Sequence, residues 1–348
     1  MKKKLLSLFL MAVAGAAQLA TAQDLSAYDG SEANPFRIET VEQFCSLINY
    51  LKPSQMNYVV LENDLDMDAV NTWIPINCDQ AVANYQNYIH FDGQGHVIKN
   101  FHPRNTDQQY QSIFGIMCGT VKNLGVENAD VNCPSTGTGI LCAWIGRTAT
   151  YSGVSYVDHC WVTGKLDCGG YAGAIAGAIA GPGFIRNCYA NTDITSTSDL
   201  TGGLVGRVRG ELSIENAYAA GSCNRGGGII GGGQQDATPA CLYNNIVVWN
   251  NTAENFGPTA NADKVSNISY YNGTNFADLQ QTVVGWDSSV WYCGMGEGEY
   301  PVLIGVGTTD LAMPQLNKED VIYTLTGVRV QKAQKGIYII NGKKTYVK

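Results

Sequence analysis

Five short segments recur along the middle of the chain, and their spacing limits the possible fold more than any other feature. Each closes an apolar pair with a glycine or ends on one: Ile113-Phe114-Gly115, Trp144-Ile145-Gly146, Ile175-Ala176-Gly177, Leu204-Val205-Gly206 and Ile229-Ile230-Gly231. Downstream of each lies a second short run, starting at Val121, Val157, Ile185, Ile214 and Tyr243 and carrying Asn123, His159, Asn187, Asn216 or Asn244. The last four of these polar residues are 28, 29 and 28 positions apart. Such a period, with two or three short strands, glycine turns and polar corners, fits one coil of a parallel β-helix. None of these strands can make a sheet alone, so each must stack on its equivalent in the next coil. Asparagine and glycine tolerate the left-handed backbone of a tight corner. Helical spacing of three and four is not sustained by these glycine-broken segments.

Composition agrees with this reading. Of 348 residues, 40 are glycine, 45% are hydrophobic and only 15% are charged, which argues against a coiled coil or a disordered chain. The predicted fold is all-β, a right-handed parallel β-helix with a small C-terminal β-hairpin or β-sandwich-like module. The two domains that length alone suggests become one elongated solenoid and one small unit.

Residues 1–22 read as an export signal rather than as part of the fold. Lys2, Lys3 and Lys4 precede an apolar run from Leu5 to Ala17 that is too short to span a membrane, and Ala20-Thr21-Ala22 supplies a small-x-small cleavage site. No cysteine precedes Cys45, which disfavours an acylated lipoprotein. The mature chain is expected at the cell surface or outer membrane, or outside the cell, with no transmembrane segment. Charge divides it further. Residues 313–348 carry seven of the 22 basic residues against only Glu319 and Asp320, so the tail is basic and the body acidic. An acidic body without a basic stripe disfavours nucleic acid as a partner.

Several segments carry a family resemblance. Phe91-Asp92-Gly93-Gln94-Gly95-His96-Val97-Ile98, then Ser112 to Gly115 and Val121 to Val126, resemble the opening of bacterial GLUG-motif β-helix proteins. Gly202 to Gly206 with Ile214 to Gly221 resembles the GLUG repeat itself. Asn34 to Ile38, Leu61 to Met67 and Trp73 to Ile76 are similar to the opening segment of those proteins. Gly285-Trp286-Asp287, Trp291 and Tyr300 to Leu303 are similar to their closing segment. The resemblance implies a surface-located, adhesin-like β-helix over residues 23–305, divided into an opening segment (23–110), repeats (111–250) and a closing segment (251–305). A linker over 306–312 leads to residues 313–348. There Val321 to Val330 and Lys335 to Lys344 alternate as strands about glycine turns. This tail resembles C-terminal sorting domains read by type IX secretion machinery of Gram-negative bacteria, which implies the export machinery as a partner.

Chemistry-bearing residues are sparse. Asp64, Asp66 and Asp68 alternate and could face one way as oxygen ligands for Ca²⁺, but the spacing lacks the glycine and distal glutamate of an EF-hand, and a solvated strand face accounts for it equally. Gly226, Gly228 and Gly231 formally satisfy a G-x-G-x-x-G pattern without the following helix that a dinucleotide site needs. His90, His96 and His102 recur every six residues, wider than zinc ligands usually lie, and His159 sits at a coil corner. No nucleophile signature is present. A β-helix polysaccharide lyase or glycoside hydrolase would need grouped carboxylates. The repeat acids include Asp158, Asp193, Glu215 and Asp236, none with a cation at fixed coil spacing. No catalytic, cofactor-binding or metal-ligating residue is assigned.

The 11 cysteines are an odd number, so an exported monomer keeps at least one thiol. Cys160 and Cys188, 28 apart, are expected to stack in neighbouring coils inside the solenoid. The function expected is therefore non-catalytic binding, with extracellular polysaccharide or glycoprotein as partner and a polysaccharide-degrading enzyme as the alternative.

Overall fold

Asn123, His159, Asn187 and Asn216 adopt left-handed backbone, with φ of 53°, 52°, 51° and 51°, and turn four long strands through the same corner. The strands are Gly119–Cys133, Ser155–Cys168, Gly183–Ser196 and Leu212–Cys223. The computed structural model describes residues 24–76, 87–104, 109–134, 136–146, 151–233, 286–292 and 300–307 in full. Strands 241–249, 254–259, 265–271, 322–324, 329–330, 336–340 and 343–347 are described by their backbone. The signal segment and most of the linker lie outside the described residues.

Pairing is parallel throughout the solenoid. One sheet, here sheet A, stacks Phe36–Ile38, Met56–Leu61, Tyr88–Asp92, the four long strands, Cys241–Trp249 and Val265–Tyr271 in sequence order. Sheet B stacks Phe114–Met117, Cys142–Ile145, Ala176–Ile179, Val205–Val208 and Gly227–Gly233, with the two-residue strands Thr138–Gly139, Ala172–Gly173 and Thr201–Gly202 beside them. The result is a right-handed β-solenoid. The opening segment is thus its first coils, and the stack runs on through Tyr271, beyond the repeats expected to end at 250.

Two details of the sequence alignment are corrected by the register. Phe114 pairs with Cys142, and Cys142 with Ala176, so the second coil's apolar pair is Leu141-Cys142 with Ala143 in the glycine's place, not Trp144-Ile145-Gly146. Glu215 pairs with Asn244 and Ala217 with Ile246, so Asn245 rather than Asn244 stands opposite Asn216.

Inward-facing residues on either side of the corner fill the interior. Val121, Val157, Ile185 and Ile214 form one buried column, and Leu124, Cys160, Cys188 and Ala217 the next. Cys160 and Cys188 are therefore adjacent across one strand spacing, as are Cys133 and Cys168. All described cysteines are free, and burial pushes the Cys142 and Cys188 thiols far up, so these serve as small packing side chains. The short helix Val41–Ser46 places Phe44 in the core at the first coil. Its start is fixed by a capping box between Thr40 and Gln43.

At the corner, asparagines link successive coils. Asn123 Nδ2 donates to Asp92 Oδ1 (3.0 Å) and Asn216 Nδ2 to Asn187 Oδ1 (3.4 Å). His159 has no carboxamide to offer the coil before it. Its Nδ1 instead lies 2.8 Å from its own neighbour Asp158 Oδ1, which accepts from Asn187 Nδ2 at 3.3 Å.

Beyond the last stacked strand, residues 286–292 and 300–307 lie along the flank of sheet A. Outward-facing Trp161, Tyr189 and Tyr218 stack in register, their rings 5.8 and 4.8 Å apart and each pair tilted by only 5°. Trp286, Trp291, Tyr300, Leu303 and Val306 cover them. Trp161 Nε1 donates to the Val306 carbonyl (3.2 Å) and the Tyr218 hydroxyl to that of Pro301 (2.8 Å), while the Gly307 amide reaches the Gly95 carbonyl (2.8 Å). Gly125 occupies the same column, where a Cβ would lie 2.5 Å from the Trp161 ring. Ile322–Thr324, Arg329–Val330, Gly336–Ile340 and Lys343–Val347 form a separate four-stranded antiparallel sheet.

Candidate functional site

The part of sheet A before the corner is open to solvent, and the coil register sorts its outward side chains into two rows. In the first, Tyr58, His90, Thr120, Tyr156 and Phe184 follow one another. The Tyr58 and His90 rings are 5.0 Å apart, those of Tyr156 and Phe184 are 5.3 Å apart, and Phe184 is 37% exposed. Among the described residues only Ile74 and Phe184 are large hydrophobic side chains left exposed, and Phe184 alone of the two carries a ring.

The second row alternates in charge. Asp92, Lys122, Asp158, Arg186 and Glu215 occupy successive coils. Lys122 Nζ lies 3.0 Å from Asp92 and Arg186 Nη2 lies 2.8 Å from Asp158. Burial would push the Asp92 and Asp158 carboxyls up. For Asp92, hydrogen bonds from Asn123, the Gln94 amide and Lys122 more than offset it; for Asp158, contacts with His159 and Arg186 do so, and both end below the usual carboxylate range. The same alternation recurs at Asp66, Lys99, Glu127 and at Asp130, Lys165, Asp193. Arg186 therefore keeps a fixed acidic partner, contrary to the sequence expectation that no repeat cation does.

Both rows begin in an open groove of about 370 Å³ whose lining includes Glu32, Tyr58, His90, Asp92, Thr120 and Lys122. Burial holds the His90 imidazole below its ordinary value, which favours the neutral ring at pH 7. Hydroxyl, carboxylate and ammonium groups thus stand beside two rings and the side chains of Pro35 and Val60.

The structure separates the other candidates singled out in the sequence. Asp64, Asp66 and Asp68 do point outward between buried Leu65 and Met67. Asp64 is engaged by the Val97 amide (3.0 Å), Lys99 (3.1 Å) and His96 (3.1 Å), whereas Asp66 accepts from Asn100 Nδ2 (2.9 Å) and the Asp68 amide (3.1 Å). His102 Nε2 is 2.7 Å from the Asn128 carbonyl, so the three histidines serve three different contacts. Among the described residues no group of three or more His, Cys, Asp or Glu could hold a metal ion. Gly228 and Gly231 lie in the strand Gly227–Gly233, with Gly226 left-handed just before it, so the glycine motif leads into a strand and not a helix. Asp193 accepts from Ser222 Oγ (2.7 Å), and Asp158 and Glu215 are divided by Arg186; Asp236 lies outside the described residues.

Sequence reasoning missed the exposed row of rings, the alternating charges and the covered aromatic stack. The covered stack becomes visible once the 28- and 29-residue spacing is read for every column, since Trp161, Tyr189 and Tyr218 repeat at that interval, whereas the other two rows begin in coils of 30 residues or more, where that spacing does not find them.

Fold and site together define a β-solenoid with an open, ring-bearing outer face. A similar crystal structure, at 1.30 Å resolution, is that of a Bacteroides ovatus protein with the provisional name immunoglobulin A1 protease. It aligns with a TM-score of 0.62 and 25% identity over 80% of this chain and 94% of that one. Family models and the curated proteins return no match to the chain.

Proposed function

We propose that the chain is an exported, surface-associated or secreted β-helix binding protein, adhesin-like and non-catalytic, that contacts extended extracellular glycans or glycoproteins along sheet A. One observation carries the reading: a groove of about 370 Å³ opens onto rows of rings and paired charges running through successive coils. Repetition at coil spacing suits a ligand that is itself extended and repetitive. The basic-apolar N-terminus and the tail resembling type IX sorting domains support export. Among the described residues no helix is long and apolar enough to cross a membrane.

The paired charges also bear on catalysis. Asp158, held ionised beside Arg186, is poorly suited to donate a proton, and Arg186 stands between it and Glu215. The name of the similar protein makes proteolysis the activity to check. The purified mature chain is incubated with a glycan panel and with immunoglobulin A1, and retention, reducing-end release and fragment formation are measured together. Retention alone is expected. Released sugar or immunoglobulin fragments would place the chain among enzymes, and absence of any retention would overturn the binding reading.

A further inference from the structure

We infer that the groove at Tyr58, His90, Asp92 and Lys122 takes an uncharged pyranose unit of a neutral polysaccharide, whose chain continues along the solenoid axis past Tyr156 and Phe184. This rests on the binding reading above and narrows its ligand to one class.

The groove offers two kinds of surface together. Tyr58, His90, Val60 and Pro35 give apolar contact, and the Thr120 hydroxyl with the Asp92 and Lys122 head groups gives donors and acceptors. A sugar ring has the matching halves, C–H edges and hydroxyls, whereas a purely apolar ligand would strip water from those head groups without replacing its hydrogen bonds.

Charge decides which sugar. Lys122 is 3.0 Å from Asp92 and stands in register between Asp92 and Asp158, and Arg186 is 2.8 Å from Asp158 and stands between Asp158 and Glu215. Glu32 adds a further carboxylate at the groove. A uronate, sialate or sulfated sugar would have to draw a cation away from carboxylates already paired with it, so an anionic chain is selected against. The His90 imidazole, kept neutral by its burial, does not supply the missing positive charge.

Register sets the direction. Thr120 is the one small residue in the ring row, so it opens a gap of two strand spacings, ~9.6 Å, between His90 and Tyr156. From Tyr58 to Phe184 is four spacings, ~19 Å, long enough for several sugar units. Affinity should therefore rise with chain length until both pairs of rings are engaged.

The test titrates the full mature chain calorimetrically with neutral linear oligosaccharides of increasing length, at low and high salt, beside an oligouronate, a sialylated glycan and a cationic amino-sugar oligomer. Neutral oligomers should bind, more tightly with length and almost independently of salt. Tyr58→Ala should weaken them about tenfold, the loss of one ring contact and its hydrogen bond. Phe184→Ala should weaken only the longer ones. Thr120→Trp, which fills the gap rather than removing a wall, should block binding while leaving the melting temperature unchanged. Preference for the uronate, the sialylated glycan or the amino sugar would overturn the ligand class but leave the binding reading intact. Neutral binding untouched by both Tyr58→Ala and Thr120→Trp would overturn the site. Failure of every glycan would overturn this inference, and retention of glycoprotein in the earlier assay would show whether the binding reading falls with it.

Discussion

Tyr218 links the flanking closing segment to the solenoid, and replacing it with phenylalanine tests whether that segment is held as a separable unit. The side chain is 1% exposed, its ring lies 4.8 Å from that of Tyr189, and its hydroxyl donates to the Pro301 carbonyl at 2.8 Å. Tyr218→Phe keeps the ring stack and leaves the carbonyl unpaired and buried, which costs ~1–3 kcal/mol. If that cost falls on the contact between segment and solenoid, the detached population rises roughly 5- to 150-fold. Tyr218→Ala also removes the ring and should cost ~3–5 kcal/mol. Native-state hydrogen exchange reads the effect at the Gly307 amide, which donates to the Gly95 carbonyl, against solenoid amides such as that of Ile185. In the phenylalanine variant Gly307 should exchange faster and Ile185 should not. An unchanged Gly307, or equal acceleration of both, would refute the reasoning, because the segment would then be unaffected or would open only when the whole solenoid does.

Three further outcomes are expected. Gly164 has φ of +129°, and a Cβ there would lie 2.1 Å from the Ala129 carbonyl oxygen, so Gly164→Ala should lower stability by more than ~2 kcal/mol in urea unfolding. His159→Asn returns a carboxamide to the left-handed corner and should raise stability by about 0.5 kcal/mol; a loss instead would show that the contact with Asp158 outweighs corner preference. Asp64, Asp92 and Asp158 have folded-state pKa values below their unfolded ones, so their contribution is present above about pH 4 and is lost as pH falls through the folded values. Asp158→Asn should flatten that acid limb of a melting-temperature profile. His90 is also lowered, so the unfolded chain takes up its proton first and stability should begin to fall as pH drops below about 6.5, a slope that His90→Gln removes.

The solenoid was legible because its constraint is local and repeated. A corner needs a residue that tolerates positive φ, and Asn123, Asn187 and Asn216 mark it at coil spacing. The second coil was misaligned because its stacked pair, Leu141-Cys142, is followed by alanine, while a chance Trp144-Ile145-Gly146 three residues later mimics the pattern. Asn244 and Asn245 are adjacent, and only backbone pairing tells which one stands at the corner. The flank was hidden for a different reason. Residues 286–292 and 300–307 return to strands far earlier in the chain, Pro301 meeting Tyr218 83 positions before it, and no local pattern states where such a segment returns.

Alternating charge follows from the geometry of a parallel stack. Parallel coils put equivalent residues ~4.8 Å apart, so a charge repeated faithfully with the coil would face its own kind above and below. Asp92, Lys122, Asp158, Arg186 and Glu215 avoid this by changing sign at every coil, as do Asp66, Lys99, Glu127 and Asp130, Lys165, Asp193. A slip of the stack by one coil preserves the interior well, because Val157, Ile185 and Ile214 are nearly interchangeable there. The same slip would bring Lys122 opposite Arg186 and Asp158 opposite Glu215. The outer rows thus specify a register that the core specifies weakly. They also explain how an acidic body can carry an almost neutral strip through the coils that form the groove: each cation is spaced to serve two carboxylates, and none is left over to attract an anion.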